Sequence, residues 1–404
     1  MSKTIVVIGG GPIGLAAAAH AIERGLNPVV FEAGPHVGET VRAWQHVRMF
    51  SSWQLNLDKA CQRLLETCGW TAPDPDAYPS GREFREGYLE PLARVPELLP
   101  RIRLATRVVA VTRVEHDKLA DARRLSVPFE VAFEAANGSE GRLTADAVID
   151  CSGNWEQPRP AGAGGVPAVG ERNVRGRLHY GPVDVIGALR VHFSGKKVAV
   201  LGNRHSAICT LIDLARLAGE ALSTRPIWLV RSETARNGPP GSVPKQLQCL
   251  GEMLRDIEHL TSVGQIELRT GFSLKCIEAA GDHLRLQATN DQTLIVDELI
   301  VATGFRPNFD FLRELRLDLH STLECPSAIA PLIDPAVHTA RTVSPHGAKE
   351  LGHPDRDFFL AGIKSYGRAA TFLLIVGYEQ VRSIVAHLAE DHDAASRVEL
   401  SLPW

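Results

Sequence analysis

Nothing in this sequence of 404 residues approaches a run of 18 apolar positions, so no membrane-spanning helix is expected. Paired cysteines are missing as well. Cys61, Cys68, Cys151, Cys209, Cys249, Cys276 and Cys325 make seven, an odd and scattered set with no C-x-x-C or C-x-x-x-x-C, which argues against a disulfide framework and disfavours a thiol–disulfide reductase. Cys61 and Cys68 could share one helix face, although core thiols are the plainer reading. The 15 histidines offer neither H-x-H nor H-E-x-x-H, so no protein-bound metal is expected. A net charge of -3 lacks the single-sign field that marks a nucleic-acid or anionic-membrane partner. Met1-Ser2-Lys3 leads straight into an apolar run, with no room for the charged and apolar parts of a leader, and the cytoplasm is the expected location.

What is present is the 44% apolar, 23% charged composition of a globular chain, long enough for about two to three domains. The stretch TIVVIGGGPIGLAAAAHAIERGLNPVVFE, Thr4 to Glu32, carries strand, glycines, helix and terminal acid in one unit. Gly9 suits the tight turn, Gly11 lets backbone approach a pyrophosphate, and Gly14 with Ala16 to Ala19 lets the helix lie close on the sheet. Pro12 and Ile13 open that helix, whose N-terminal N–H groups and positive dipole end favour phosphate. Glu32, with Ala33 after it, stands where a carboxylate takes a ribose hydroxyl. An ADP-containing cofactor at the start of the chain is the expectation.

Beyond Glu32 a Gly-rich loop carries Gly34, Gly38 and Trp44. Trp44, Phe50 and Trp53, with Arg48 and Ser51, fall where the chain leaves the carboxyl edge of the sheet, and they are candidates for a ring-stacking wall. Residues 69 to 82 are Pro- and Gly-rich and read as a surface loop. Ser80 then caps a helix from Gly81 to Leu92 with Phe84, Tyr88, Leu89 and Leu92 on one face. Strands IRLATRVVAV (with Val108), PFEVAFEA and AVID form a meander returning to the sheet, ending at Asp150-Cys151-Ser152-Gly153. The linker Gln157 to Gly170 marks a boundary. Lys197 to Ala218 repeats the opening design as strand, turn and helix; a strand PIWLVR, a long loop at Glu233 to Pro244, and strands QIELRT, HLRLQAT and ELIVATGF follow. Ala302-Thr303-Gly304 mirrors the Ser152-Gly153 strand end. The last part holds a strand Phe358 to Ala361, a Gly-rich turn with Gly362, and a helix from about Gly377 to Glu390. The fold class is therefore α/β with two Rossmann-like dinucleotide-binding domains, the second inserted in the first: residues 1–160, 161–304, and 305–404 returning to the first.

Two such units joined through an A-T-G strand end resemble the two-dinucleotide-binding-domain flavoproteins. Within them ATGFRP, PSGREFREGYLEPLA, CSGNWEQP, KSYGRAATFL and GYEQVRS are similar to bacterial flavin-containing monooxygenases of the CzcO-like and arsenic-operon type. The resemblance covers nearly the whole chain. It implies FAD in the first domain and NADPH in the second, molecular oxygen as co-substrate, and transfer of one oxygen atom from a flavin peroxide to a small N-, S- or As-containing or carbonyl compound. It needs no acid, base or nucleophile from a side chain at first; Arg48, Ser51, Trp53, Lys364 and Tyr366 are candidates for tuning the flavin, with Tyr378 and the start of the last helix near its ring. A homodimer is allowed. One alternative is a flavin dehydrogenase or oxidase reduced by its own substrate, with a vestigial NADPH site; another is a non-catalytic nucleotide sensor.

Three departures from the family pattern bear on the site. The second fingerprint reads Gly202-Asn203-Arg204-His205-Ser206-Ala207, with Arg204 where a glycine belongs; a positive φ there would cost about 1 kcal/mol in strain, and the side chain either pairs with the phosphates or obstructs them. Arg231, after the next strand, stands where an arginine takes a 2′-phosphate. In F-x-G-x-x-x-H, Val174 replaces Phe and His179 comes one residue early. The acid expected after the last strand is missing from Ala361-Gly362-Ile363-Lys364, so ribityl contacts must come from elsewhere.

Overall fold

The structure is a computed structural model that describes residues 2–233, 247–338, 343–369 and 372–399; most of the loop read at Glu233 to Pro244 lies outside them. Two compact units emerge, one of residues up to Gln45, Ser51–Glu156 and those from Arg306 on, the other of His46–Phe50 and Gln157–Phe305. Among the described residues no helix is long and apolar enough to cross a membrane.

The first unit begins with β1 (Thr4–Ile8), α1 (Pro12–Glu23) and β2 (Asn27–Phe31). Gly25, at φ +71, closes α1 because only a left-handed residue lets its N–H and that of Leu26 reach back to Ile22 and Ala21. The helical segments Gly81–Phe84, Arg85–Leu89 and Glu90–Ala93 run on as one, the middle one a π-turn, under a capping box of Ser80 and Glu83. Phe84, Tyr88, Leu89 and Leu92 are all fully buried. Next come β3 (Ile102–Arg103), the antiparallel meander β4 (Thr106–Arg113), β5 (Phe129–Ala135) and β6 (Glu140–Ala145), and β7 (Ala147–Asp150). β6 was not foreseen; its residues alternate on an exposed edge strand with little apolar signal.

The second unit holds β8 (Leu178–Tyr180), β9 (Lys197–Leu201), α2 (His205–Glu220), β10 (Arg225–Leu229), α3 (Gln248–Ser262), β11 (Glu267–Arg269), a meander β12 (Leu274–Ala280), β13 (His283–Ala288) and β14 (Thr293–Val296), and β15 (Glu298–Val301). Helix α3 was not read from the sequence, although Cys249, Met253 and Ile257, four apart, are its buried face. The sheet order is β11-β10-β9-β15-β8, all parallel, over a core that includes Leu201, Leu229, Phe272 and Leu286.

The chain then adds β16 (Phe358–Leu360) and α4 (Leu374–Leu388) to the first unit. Its sheet runs β16-β7-β1-β2-β3 in parallel, with Val6 facing Val29 on one side and Val148 on the other. Strands covered on both faces read as unbroken apolar runs, which is why β1 and β7 were legible. The meander packs on this sheet through Val108, Val111, Phe129 and Val131. Helix α4 starts three residues before the expected Gly377, on the apolar pair Leu374 and Ile375. A Cβ on Gly377 would lie 2.6 Å from Ile13 Cδ1 and 2.7 Å from Phe372 Cζ, so this glycine serves the close approach of α4 to α1 rather than a helix end.

Candidate functional site

A cavity of about 680 Å³ opens at the carboxyl edge of β1, β2 and β7 in the first unit. Gly9, Gly11, Pro12, Ile13, Glu32, Ala33, Gly38, Trp44, Val108, Ser152, Gly153 and Gly362 line it, so twelve expected residues come together. Gly9 turns the chain at φ +106, and a Cβ there would stand 2.7 Å from the Cys151 carbonyl oxygen. Gly11 caps α1 with no side chain over the helix end, and a Cβ on it would meet nothing within 4 Å. Its backbone thus faces the cavity with the positive end of α1 behind it. Gly14 lies behind the wall: its Cβ would sit 1.9 Å from the Gly9 carbonyl oxygen.

The Glu32 carboxylate accepts from the backbone N–H of Gly10 at 2.8 Å and of Gly34 at 2.7 Å. Burial raises its pKa, with the two backbone hydrogen bonds opposing. It ties both glycine loops together and also lines the cavity. Gly38, at φ +62, donates its N–H to the Gly10 carbonyl at 2.9 Å and closes that loop.

Several expected residues are elsewhere, and the aromatic wall comes apart. Trp44 alone reaches the cavity. Trp53 is 6% exposed and packs on Phe84 with ring centres 5.9 Å apart; Ser51 donates to Asn56 Oδ1 at 2.7 Å. Arg48 and Phe50 belong to the second unit, where the Phe50 ring meets His205 edge-on at 4.8 Å. Tyr378 is fully buried, donates to the Asn56 carbonyl at 2.7 Å and is not among the residues that line the cavity. Tyr366 is buried between His346 and Phe372 and is not on the cavity wall. Side chains one or two positions apart point to different faces, and only the path of the chain decides which. Arg107, Glu156, Asp310, Phe311, Arg313 and Phe372 line the cavity without having been foreseen. Arg107 and Glu156 pair at 2.5 Å across 49 residues, a distance no local pattern encodes.

A second cavity of about 270 Å³ lies at the carboxyl edge of β9, β10 and β15, lined by Gly202, Arg204, Arg231, Ala302 and Thr303, and by Arg159. It repeats the first in outline. Gly202 turns at φ +142 with a Cβ position 2.4 Å from the Ala302 carbonyl oxygen, as Gly9 stands to Cys151. Arg204 caps α2 at φ -109 and ψ -178, extended backbone open to any residue, so the expected strain is absent. Burial lowers its pKa, and among the described residues no carboxylate is paired with it. Thr303 donates to the Arg159 carbonyl at 2.9 Å. His205, Ser206 and Gly304 are not on this wall. The His205 ring lies 3.6 Å from Cys209 Sγ, and burial pushes its pKa down to about 4. His179 sits in β8 with Nε2 3.2 Å from Glu298 Oε2, away from the cavity. His192 completes a group with donor atoms within 4.8 Å of one another, and the Lys196 ammonium, 2.6 Å from Glu298, already supplies its cation.

Residues 6–326 match the family model described as pyridine nucleotide-disulphide oxidoreductase. The chain belongs to this family. Among relatives of this chain, flavin-containing monooxygenase FMO GS-OX-like 6 of Arabidopsis thaliana is 26% identical over 240 residues, 54% of this chain and 47% of that protein. Flavin-containing monooxygenase 1 of Homo sapiens is 27% identical over 248 residues, 59% of this chain and 43% of that one. The chain spans about half the length of these curated relatives. The resemblance to flavin-containing monooxygenases read from its motifs thus has counterparts across more than half of it.

Solved structures share the fold of this chain. Bacillithiol disulfide reductase from Bacillus cereus superposes with a TM-score of 0.68 at 19% identity, covering 97% of this chain and all of that one. The FAD-bound cadaverine monooxygenase of the desferrioxamine pathway from Erwinia amylovora gives 0.66 at 14% identity, covering 100% and 99%. Despite the family's title, all seven cysteines here are free. Cys151 alone reaches the first cavity, and burial pushes its thiol well above the ordinary value, the reverse of an attacking thiolate.

Proposed function

We propose that this chain is an FAD- and NADPH-dependent monooxygenase acting on a small N-, S- or As-containing or carbonyl compound, with molecular oxygen as co-substrate. The observation that carries the reading is the first cavity: a helix N-terminus bared at Gly11, next to an acid, Glu32, that stays partly free after bonding Gly10 and Gly34. That combination fits the diphosphate and ribose of a dinucleotide. The likeness to flavin-containing monooxygenases supports FAD as that dinucleotide. In the second cavity, Gly202 and the guanidinium groups of Arg204, Arg159 and Arg231 fit a second nucleotide, and the cationic lining favours the phosphorylated NADPH.

When bound, NADPH supplies reducing equivalents and FAD supplies electron transfer and oxygen activation. The chain's own residues bind and orient. Helix α1 would face the diphosphate and Glu32 the ribose, with Trp44 and Phe311 on the cavity wall. Arg204 and Arg231 meet phosphate charge in the second cavity. The absence of a paired thiol weighs against disulfide exchange as the reaction.

Anaerobic addition of NADPH to the purified yellow protein tests this. The expected result is rapid bleaching, followed on admission of air by NADPH consumption that rises with a tertiary amine, a thioether or a trivalent arsenical. No bleaching, with reduction by an added organic substrate instead, would favour the dehydrogenase or oxidase. A colourless protein that binds no flavin would end the proposal.

A further inference from the structure

Beneath the first cavity lies a buried cation, Lys364, which was a candidate for tuning the flavin but does not line the cavity itself. Lys364 is 0% exposed, its Nζ is 2.6 Å from Asp150 Oδ2 and donates to Ser152 Oγ at 2.9 Å, and it stands 4.4 Å from the centre of the Phe311 ring. Burial pulls the lysine pKa down and the Asp150 charge holds it up. Stability alone does not account for such a pair, since apolar residues of similar volume serve a core as well or better.

What the pair does provide is hydrogen-bond polarity. An ammonium has no acceptor, so Ser152 Oγ accepts from Lys364 and its own hydrogen is left to donate. Asp150 Oδ1 accepts the Ser152 backbone N–H at 3.0 Å and holds the residue's main chain as well. No described residue accepts the Ser152 hydroxyl hydrogen, and Ser152 is exposed on the wall of the cavity.

We propose that Lys364 and Asp150 are positioning residues that fix Ser152 as an O–H donor for an acceptor oxygen of the bound dinucleotide, a phosphate, ribityl or ring-carbonyl oxygen. The inference rests on the reading of the first cavity as the FAD site. It gives that site a neutral donor on the side away from Glu32, backed by a charge that never contacts the ligand. Asp150 and Lys364 are 214 positions apart in the sequence and meet only because β7 and β16 are paired neighbours, Leu360 opposite Asp150.

The test is FAD affinity of the cofactor-free protein, read by quenching of flavin fluorescence, with the melting temperature of the same samples. The variants are Ser152→Ala, the charge-neutral double Lys364→Met with Asp150→Asn, and the triple combination. Ser152→Ala should bind FAD roughly fivefold to tenfold more weakly at an unchanged melting temperature. The double variant, which keeps the hydroxyl but no longer fixes its direction, should lose part of this affinity, and the triple no more than Ser152→Ala, because the pair acts only through that hydroxyl. Wild-type affinity in Ser152→Ala overturns the inference even if the double variant fails to fold, and losses that multiply in the triple overturn the link to Lys364. Wild-type protein that takes up no FAD removes the cofactor reading itself, and this inference with it.

Discussion

The glycines at positions 11 and 14 should separate binding from folding. A methyl at Gly14 would lie 1.9 Å from the Gly9 carbonyl oxygen, whereas real Cβ atoms stay beyond 3.0 Å, so α1 has to retreat by the difference or the turn has to open. The obstacle is backbone, and α1 is buried from Ile13 to Ala21 and packed against α4, so the shift spreads into the core. Gly14→Ala should cost about 1–3 kcal/mol, as overpacking does. For a unit of this size that lowers the melting temperature by roughly 2–10 °C. Gly11→Ala is the opposite case. Its φ of -83 and ψ of -174 suit alanine, and the new methyl meets nothing within 4 Å, because it projects into the cavity. The cofactor-free melting temperature should stay within about 1 °C of wild type, while FAD binds at least tenfold more weakly, about 1.4 kcal/mol. Scanning calorimetry of cofactor-free protein and flavin fluorescence titration measure the two quantities. If Gly11→Ala melts as low as Gly14→Ala, or binds FAD like wild type, the assignment of one glycine to the ligand and the other to helix packing is wrong.

Arg204→Ala should weaken NADPH binding roughly tenfold, and Arg231→Ala should narrow the preference for NADPH over NADH by a similar factor, as expected for charge-assisted bonds to phosphate; tighter binding by Arg204→Ala would mean that the arginine obstructs. Asp355 is fully buried between Arg113 and Arg124, and Arg124 is itself fully buried. Asp355→Ala therefore leaves uncompensated charge and should cost about 3–5 kcal/mol in chemical denaturation, whereas a loss below 1 kcal/mol would show that carbonyl groups suffice for the arginines. Burial pulls the Glu298 carboxyl up, but hydrogen bonds from His179 and Lys196 and the charge of His192 outweigh it and hold its pKa at about 2 against an ordinary 4.5. A folded-state pKa below the unfolded one stabilises fully above the unfolded value and is lost as pH falls towards the folded one. The melting-temperature gap between wild type and Glu298→Gln should accordingly shrink on going from about pH 5 to about pH 2.5, and a constant gap would exclude that cluster as its source.

The first fingerprint was legible because its parts touch within thirty residues: Gly9, Gly11, Gly14 and Glu32 are placed by one strand, one turn and one helix, each with its own local signal. The second was legible for the same reason, but the consequence of Arg204 was not. Whether an arginine there is strained depends on a dihedral angle, and the positive φ falls on Gly202 instead. Helix α3 carries a weak local signal: no side chain caps its start, Gly251 lies near that end, and its buried face is little more than Cys249, Met253 and Ile257.

Trp44, Phe50 and Trp53 looked alike in the chain and ended in a cavity, against a histidine and inside a helical core, since a side chain's direction is set by the fold around it rather than by its neighbours in sequence. The sequence by itself determined the two glycine turns at the carboxyl edges of the sheets, the apolar strands beneath them and the absence of a dithiol, all of which rest on short-range pattern or composition. Only tertiary structure decided that Lys364 meets Asp150 and Ser152 under the first crevice, that Arg107 meets Glu156 at its wall, and that Tyr378 is core, because each depends on chain segments brought together by strand pairing and helix packing.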